Sequence, residues 1–383
     1  MTIEFCAIIL AGGIGKRLHP LTSILPKPLV KVTNKPMIDY AINHVKYAGI
    51  KHIIIALAHR GDLLKKYLEK EWTQDKLGDI QLEYLIHDSI GTADAVKKCR
   101  ENIDSEKFIV TMGDIVTNLP MKNFMQFHSE KKGISTISMK TVESHTSQYG
   151  VVLLDKNRKI YLFLEKPQPM ELYVSGMAQR TDLFLHTNII NTGMYAFDAK
   201  ILDILESQPL GDFGSDVFPY LLANNYDLYG FIENYYWLDV GNPQTYLWAN
   251  WDLLRKYGWP ITPYGNEDNN IWTKNEINTE GSVNIYKWTC FGDDVRLKNN
   301  VHIKELSVIG SNVEIKEDSI IDKSVIWDNV SIGAGCKVDS SVICNDCSIG
   351  NNVVLNNEII GPHCKISDEK VISEKSIEMG TEI

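Results

Sequence analysis

The chain has 383 residues, longer than one average domain and long enough for two cores. Apolar residues make up 44% and charged residues 23%, which excludes disordered, collagen-like and disulfide-scaffold classes. The net charge of −10 excludes a nucleic-acid surface as the main purpose, because a phosphate backbone needs a basic face.

The opening MTIEFCAIIL carries no basic segment ahead of a long apolar one, and no apolar run reaches the length of a membrane span. The expectation is a cytoplasmic protein without a membrane partner. Seven cysteines, an odd number spread from Cys6 to Cys364, point to free thiols rather than a disulfide framework.

In chain order, FCAIILA reads as a strand that delivers the chain into GGIGKR. Glycines there allow backbone N–H groups to approach a phosphate and the chain to turn sharply. Neither G-x-x-x-x-G-K-[ST] nor G-x-G-x-x-G fits the spacing. Arg17 follows two positions after Gly15, and Lys27 sits between two prolines, so positive charge is carried on stiff bends.

KPMIDYAINHVKYAGI has helical spacing and ends near Gly49, as a helix C-terminus should. HIIIALA, IQLEYLIH and KFIVTMGD read as strands, with GDLLKKYLEKEW and GTADAVKKCRENI as helices between them. That alternation predicts a mainly parallel sheet covered by helices on both faces. YGVVLLDKNRKIYLFLEKP reads as a hairpin with a DKN turn, 168–187 has no clean period and reads as a loop or partner-contacting insertion, and PQTYLWANWDLLRKYG is a closing helix. Asp114 ends one apolar strand and Asp239 another, positions that open toward the crevice in such sheets. Taken singly, each is as readily a helix N-cap or a turn residue.

Beyond residue 280 the period changes. Rows of seventeen starting at Ser307, Ser324, Ser341 and Glu358 align, and their aliphatic positions step by six, six and five from Ile309 to Ile372. Stepping back by six adds Ile303, Leu297, Phe291 and Ile285, and a mostly small residue such as Val313, Ser324 or Cys336 stands two places before each. One large and one small inward residue per short strand describes a three-sided parallel β-coil of about five turns. Cys336, Cys347 and Cys364 fall in the small inward column and Cys344 in an outward corner column with Gly310, Trp327 and Gly361, so the CNDC run is not read as a zinc site. The boundaries are a first domain over 1–260, a linker over 261–280, the coil over 281–374 and a tail over 375–383.

LAGGIGKRLHPLT...PKPLV, GTADAV at 91–96, MGD ending at Asp114, YGVV at 149–152, FLEKP at 163–167, NTGMY at 191–195 and WLDVGNPQTYLWAN at 237–250 together resemble the signature of the sugar-1-phosphate nucleotidyltransferases, the nucleotide-sugar pyrophosphorylases. The resemblance runs in family order over nearly the whole chain. It implies a Rossmann-like nucleotidyltransferase α/β domain with a mixed, mainly parallel sheet, followed by a C-terminal left-handed parallel β-helix. It also implies transfer of a nucleoside monophosphate from an NTP to a sugar 1-phosphate, with Mg²⁺ as cofactor and a dimer or tetramer as the assembly. The sugar phosphate is already an anion, so orientation and charge neutralisation replace a general base.

Carried over by position, Leu10, Ala11, Gly12, Gly13, Arg17, Lys27, Gly91 and Asp114 are the expected nucleotide-binding residues. Gly150, Glu165, Lys166 and Asn191 are the expected sugar-phosphate contacts, and Asp114 and Asp239 the metal ligands. Arg17, Lys27, Asp114, Lys166 and Asp239 carry catalysis. Lys16 stands where family members usually have Thr. His87 or Asp88 is the candidate base contact, in place of a Gln common in uracil- or thymine-selective members, and the base is read as a purine. Mannose-1-phosphate guanylyltransferase is the leading reading, with glucose-1-phosphate adenylyl-, thymidylyl- or uridylyltransferase as alternatives. A catalytically inactive regulatory subunit is the alternative of another class. For the coil, subunit contact or allosteric control is favoured over an acyltransferase resting on His302 or His363.

Overall fold

A computed structural model of the protein describes residues 5–141, 151–164, 183–186 and 189–383. The chain forms two compact units, one of residues 1–12, 41–113 and 119–237 and one of residues 13–40, 114–118 and 238–383.

The first unit is built on seven strands: β1 (Phe5–Ala11), β2 (His52–Leu57), β3 (Gln81–Ile86), β4 (Lys107–Met112), β5 (Ser135–Thr141), β6 (Ile189–Asp198) and β7 (Leu228–Ile232). They lie in the order β7-β5-β6-β4-β1-β2-β3. Only β6 runs against its neighbours, so the sheet is mixed and mainly parallel as expected. All seven residues of β1 are buried, which is why FCAIILA is apolar throughout rather than alternating. The expected helices form at Met37–Ala48 and Gly61–Glu71, and Gly49 leaves the first with φ 91°. GTADAVKKCRENI is shorter than expected: an α-helix spans Thr92–Lys97 and a separate 3-10 turn spans Arg100–Asn102. The expected hairpin pairs Val151–Asp155 with Ile160–Leu164 antiparallel, and Asp155 Oδ1 accepts from the N–H groups of Asn157 and Lys159 at its turn. The range 168–187 lies largely outside the described residues.

The second unit carries a three-sided parallel β-coil, with rungs from Ile271–Thr273 to Ser376–Ile377 stacked in three sheets. The inward column behaves as the spacing requires: Ile309, Ile315, Ile321, Ile326, Ile332 and Ile343 are each fully buried. Each such side chain contributes about 1.5–3 kcal/mol of transfer free energy. A left-handed backbone residue turns each corner, at 306, 312, 318, 323, 329, 335, 340, 346, 352, 357, 363 and 369. Their spacing repeats the six, six, five step, so from residue 306 onward one side of each turn is a residue shorter, whereas the earlier corners at 288, 294 and 300 step evenly by six.

The corner column described as outward is covered. Trp327 is 5% exposed and Cys344 fully buried, because the closing helix Pro243–Leu254 lies over this face. Trp327 Nε1 donates to the Tyr246 hydroxyl at 2.8 Å, and Trp251 Nε1 donates to the Lys323 carbonyl at 3.1 Å. All seven cysteines are buried and unpaired.

A serine ladder runs up one corner. Ser341 N–H donates to Ser324 Oγ and Glu358 N–H donates to Ser341 Oγ, both at 3.0 Å. Glu358 takes the next serine position, and its Oε1 accepts from Lys375 N–H at 3.0 Å while Oε2 is buried without a partner among the described residues. Burial, with help from Glu374, raises the Glu358 pKa against the lowering effects of Lys375. A carboxyl whose folded pKa lies above its unfolded value costs stability once pH rises past the unfolded value, and costs nothing well below it. Glu358→Ser is therefore expected to raise the unfolding free energy by about 1–2 kcal/mol at pH 7.5, a gain that shrinks toward pH 4.5. Urea unfolding at the two pH values checks this, and an equal gain at both would contradict it.

Candidate active site

The second unit assembles its charged cluster from three separate pieces of chain. Lys27 begins a short 3-10 turn, Lys27–Leu29, between Pro26 and Pro28. The prolines fix the backbone on either side, and Val30 N–H returns to the Lys27 carbonyl at 3.0 Å. Asp114 immediately precedes Ile115–Thr117, which pairs with Trp237–Asp239 in a two-stranded ribbon. The ribbon thus carries both carboxylates.

Lys27 is 6% exposed and donates to Asp114 Oδ2 at 2.7 Å and to Asp239 Oδ1 at 3.3 Å. It is not the solvated loop lysine that an isolated PKP would suggest. Burial alone would lower its pKa, but the charges and hydrogen bonds of Asp114 and Asp239 outweigh burial and hold it above the usual lysine value. The ammonium stays charged at every physiological pH.

Neither aspartate is spent as a cap. The helix Pro243–Leu254 is capped by Asn242, whose Oδ1 accepts Thr245 N–H at 2.9 Å while Thr245 Oγ1 accepts Asn242 N–H at 3.1 Å. Asp239 is left to face the lysine.

Two glycines shape this cluster, and neither stood among the expected site residues. Gly15 has φ 68°, and a Cβ there would stand 3.1 Å from Lys27 Cβ. A Cβ on Gly241 would stand 3.0 Å from Asp239 Oδ2 and 3.6 Å from Arg17 Nη2, which places the exposed Arg17 beside the same carboxylate. Their signals were present, as the third glycine of GGIGKR and as the glycine after WLDV. Gly13 is exposed with open space at its missing side chain, as a backbone contact to a ligand requires.

Within the first unit, Leu10 and Ala11 end β1 with their side chains buried, so only their backbone is on offer. A Cβ on Gly12 would stand 2.8 Å from Ala58 Cβ. Asn191 sits where β6 shifts register against β5; its Nδ2 donates to the Tyr195 hydroxyl at 3.1 Å and its Oδ1 accepts Gly193 N–H at 3.0 Å. His87 N–H is bonded to the Leu57 carbonyl at 3.0 Å, its buried Nε2 has no partner among the described residues, and burial and the nearby Lys98 charge lower its pKa. The Asp88 carbonyl accepts from Lys98 Nζ. Gly150, Glu165 and Lys166 lie outside the described residues. In the coil, His302 lies on the rung His302–Ile303 and His363 at an exposed corner, 3.6 Å from Asp346.

No described helix is long and apolar enough to cross a membrane. Residues 6–256 match the Nucleotidyl transferase family and residues 268–373 match the LbH domain of EIF2B subunit epsilon, the left-handed β-helix. A UTP–glucose-1-phosphate uridylyltransferase from Synechocystis sp. is 29% identical over 83% of this chain and 81% of its own length. Mannose-1-phosphate guanylyltransferase catalytic subunit beta is 35% identical in Drosophila pseudoobscura pseudoobscura, over 63% of this chain and 60% of that protein. The same-named protein of Dictyostelium discoideum is 35% identical over 63% of this chain and 62% of its own length.

Proposed function

From the premise that the chain belongs to the Nucleotidyl transferase family, we propose that it joins an NTP to a sugar 1-phosphate, with GTP and mannose 1-phosphate as the substrate pair. The observation that carries the reading is one buried ammonium shared by two carboxylates at the ends of a two-stranded ribbon. A phosphate oxygen of the sugar 1-phosphate attacks the α-phosphorus, the bond from that phosphorus to the bridging oxygen breaks, and pyrophosphate leaves with the electron pair. No proton moves, so the residues have only to align and neutralise. Arg17 and Lys27 supply the fixed positive charge, and the exposed backbone at Gly13 the N–H donors.

The donor set suits magnesium. Asp114 Oδ2 and Asp239 Oδ1 already converge on a single cationic group, and two carboxylate oxygens with open positions for phosphate are what a hard divalent cation takes. Asp114 and Asp239 would hold such an ion, which would supply charge neutralisation for the phosphates. Gly150, Glu165, Lys166 and Asn191 are assigned to the sugar phosphate, Gly12 and Gly91 to the nucleotide, and His87 to the base.

The second reading is UTP with glucose 1-phosphate, favoured by the match to the cyanobacterial uridylyltransferase because it extends over 83% of the chain. The five common nucleoside triphosphates, each paired with mannose, glucose, galactose and N-acetylglucosamine 1-phosphates in Mg²⁺, separate the two by pyrophosphate release. GTP with mannose 1-phosphate is expected to exceed every other pair; dominance of UTP with glucose 1-phosphate would install the second reading. A dark grid with folded protein would point to an inactive regulatory subunit.

A further inference from the structure

Lys27 sits where a metal would. Its Nζ lies 2.7 Å from Asp114 and 3.3 Å from Asp239, it is almost wholly buried, and the prolines on both sides with Gly15 against its Cβ leave only the outer side chain free to move. Resting on the reading of Asp114 and Asp239 as metal ligands, we infer that Lys27 is an internal stand-in for the cation, so that the metal enters only as the nucleotide draws the ammonium away.

The charge count sets the order of events. Two carboxylates and one ammonium leave a single negative charge, and a divalent ion entering with Lys27 in place would put two cationic centres on the same oxygens. The metal must displace the ammonium, and without a phosphate nearby a buried positive charge is left with no partner, which is costly. A triphosphate supplies that partner, so Lys27 exchanges carboxylates for phosphate oxygens as the metal takes its former place. The exchange couples the two ligands: nucleotide raises metal affinity and, by linkage, metal raises nucleotide affinity. It also protects the free protein, because the Lys27 ammonium holds the repulsion between the two carboxylates in check without recruiting cations at random.

The test is Mn²⁺ binding without nucleotide, read by the paramagnetic signal of the free ion and by calorimetry. Wild type is expected to bind weakly. Lys27→Met, of similar length but uncharged, is expected to bind about tenfold tighter or more. Lys27→Arg keeps the charge and stays weak. Mn²⁺ alone should raise the melting temperature of Lys27→Met and leave that of wild type unchanged. If Lys27→Met does not fold, Lys27→Gln, which retains a donor for the carboxylates, carries the same expectation.

Equal or weaker Mn²⁺ binding by the uncharged variants would overturn the stand-in role. The double variant Asp114→Asn/Asp239→Asn tests the underlying site separately. If it binds Mn²⁺ as tightly as Lys27→Met, the metal assignment itself is wrong, whatever Lys27 does.

Discussion

Asp114→Asn is expected to lower turnover by about 10³-fold while leaving the protein folded. The substitution is isosteric, and Lys27 keeps Asp239 at 3.3 Å as a partner, so the ribbon does not lose its only tie to the lysine. What disappears is one of two negative charges that converge on a single cation. Asp239→Asn should act in the same direction, and the double variant should cost less than the product of the two, because the pair works as one unit. Initial rates of pyrophosphate release, set against circular dichroism and melting temperature, check the claim. Undiminished turnover in folded Asp114→Asn would sink the assignment of these carboxylates to the metal.

The parts of the molecule that were legible in sequence are those where one physical requirement dominates. The β-coil has a single repeating demand, an apolar side chain every six residues from Ile285 to Ile309 and every six, six and five from there to Ile372, so the register of these rungs could be written down in advance. The central strands were legible because burial on both faces leaves no polar position in β1 and only His52, at its partly buried start, in β2. Read from the residues alone, Lys27, Asp114 and Asp239 were separate motifs, and only the family resemblance grouped them. That they meet is a consequence of the ribbon joining 115–117 to 237–239, a pairing with no local signature in either segment. The burial of Trp327 and Cys344 was hidden for a related reason: the repeat reports which way a side chain points, not what lies beyond the coil wall. Gly15 and Gly241 were left out of the expected site residues because a glycine's reason is the atom that approaches it, and sequence alone does not show the neighbour.

Gly91 carries this last point to a measurable consequence. Its φ of −179° is ordinary extended backbone, so conformation alone does not demand glycine. Space does: a Cβ there would stand 2.3 Å from the Gly211 carbonyl oxygen and 2.7 Å from its carbon. That carbonyl accepts Ala93 N–H at 2.9 Å and Asp94 N–H at 3.1 Å, serving two donors at the start of the helix Thr92–Lys97. Asp94 completes the entry by accepting Ile90 N–H at 3.1 Å and pairing with Lys98 at 2.9 Å. A methyl group at position 91 must push the carbonyl away and break both bonds, because the obstacle is backbone and has no rotamer to yield. Gly91→Ala is accordingly expected to lower the unfolding free energy by about 3 kcal/mol, from two lost hydrogen bonds and the displaced chain. Chemical denaturation measures that cost directly. A glycine needed only for a nucleotide base to approach would behave differently, raising the KM for the NTP while leaving the unfolding midpoint where it was. A loss of stability places the requirement for glycine inside the fold; an unchanged midpoint with a raised KM would place it at the ligand.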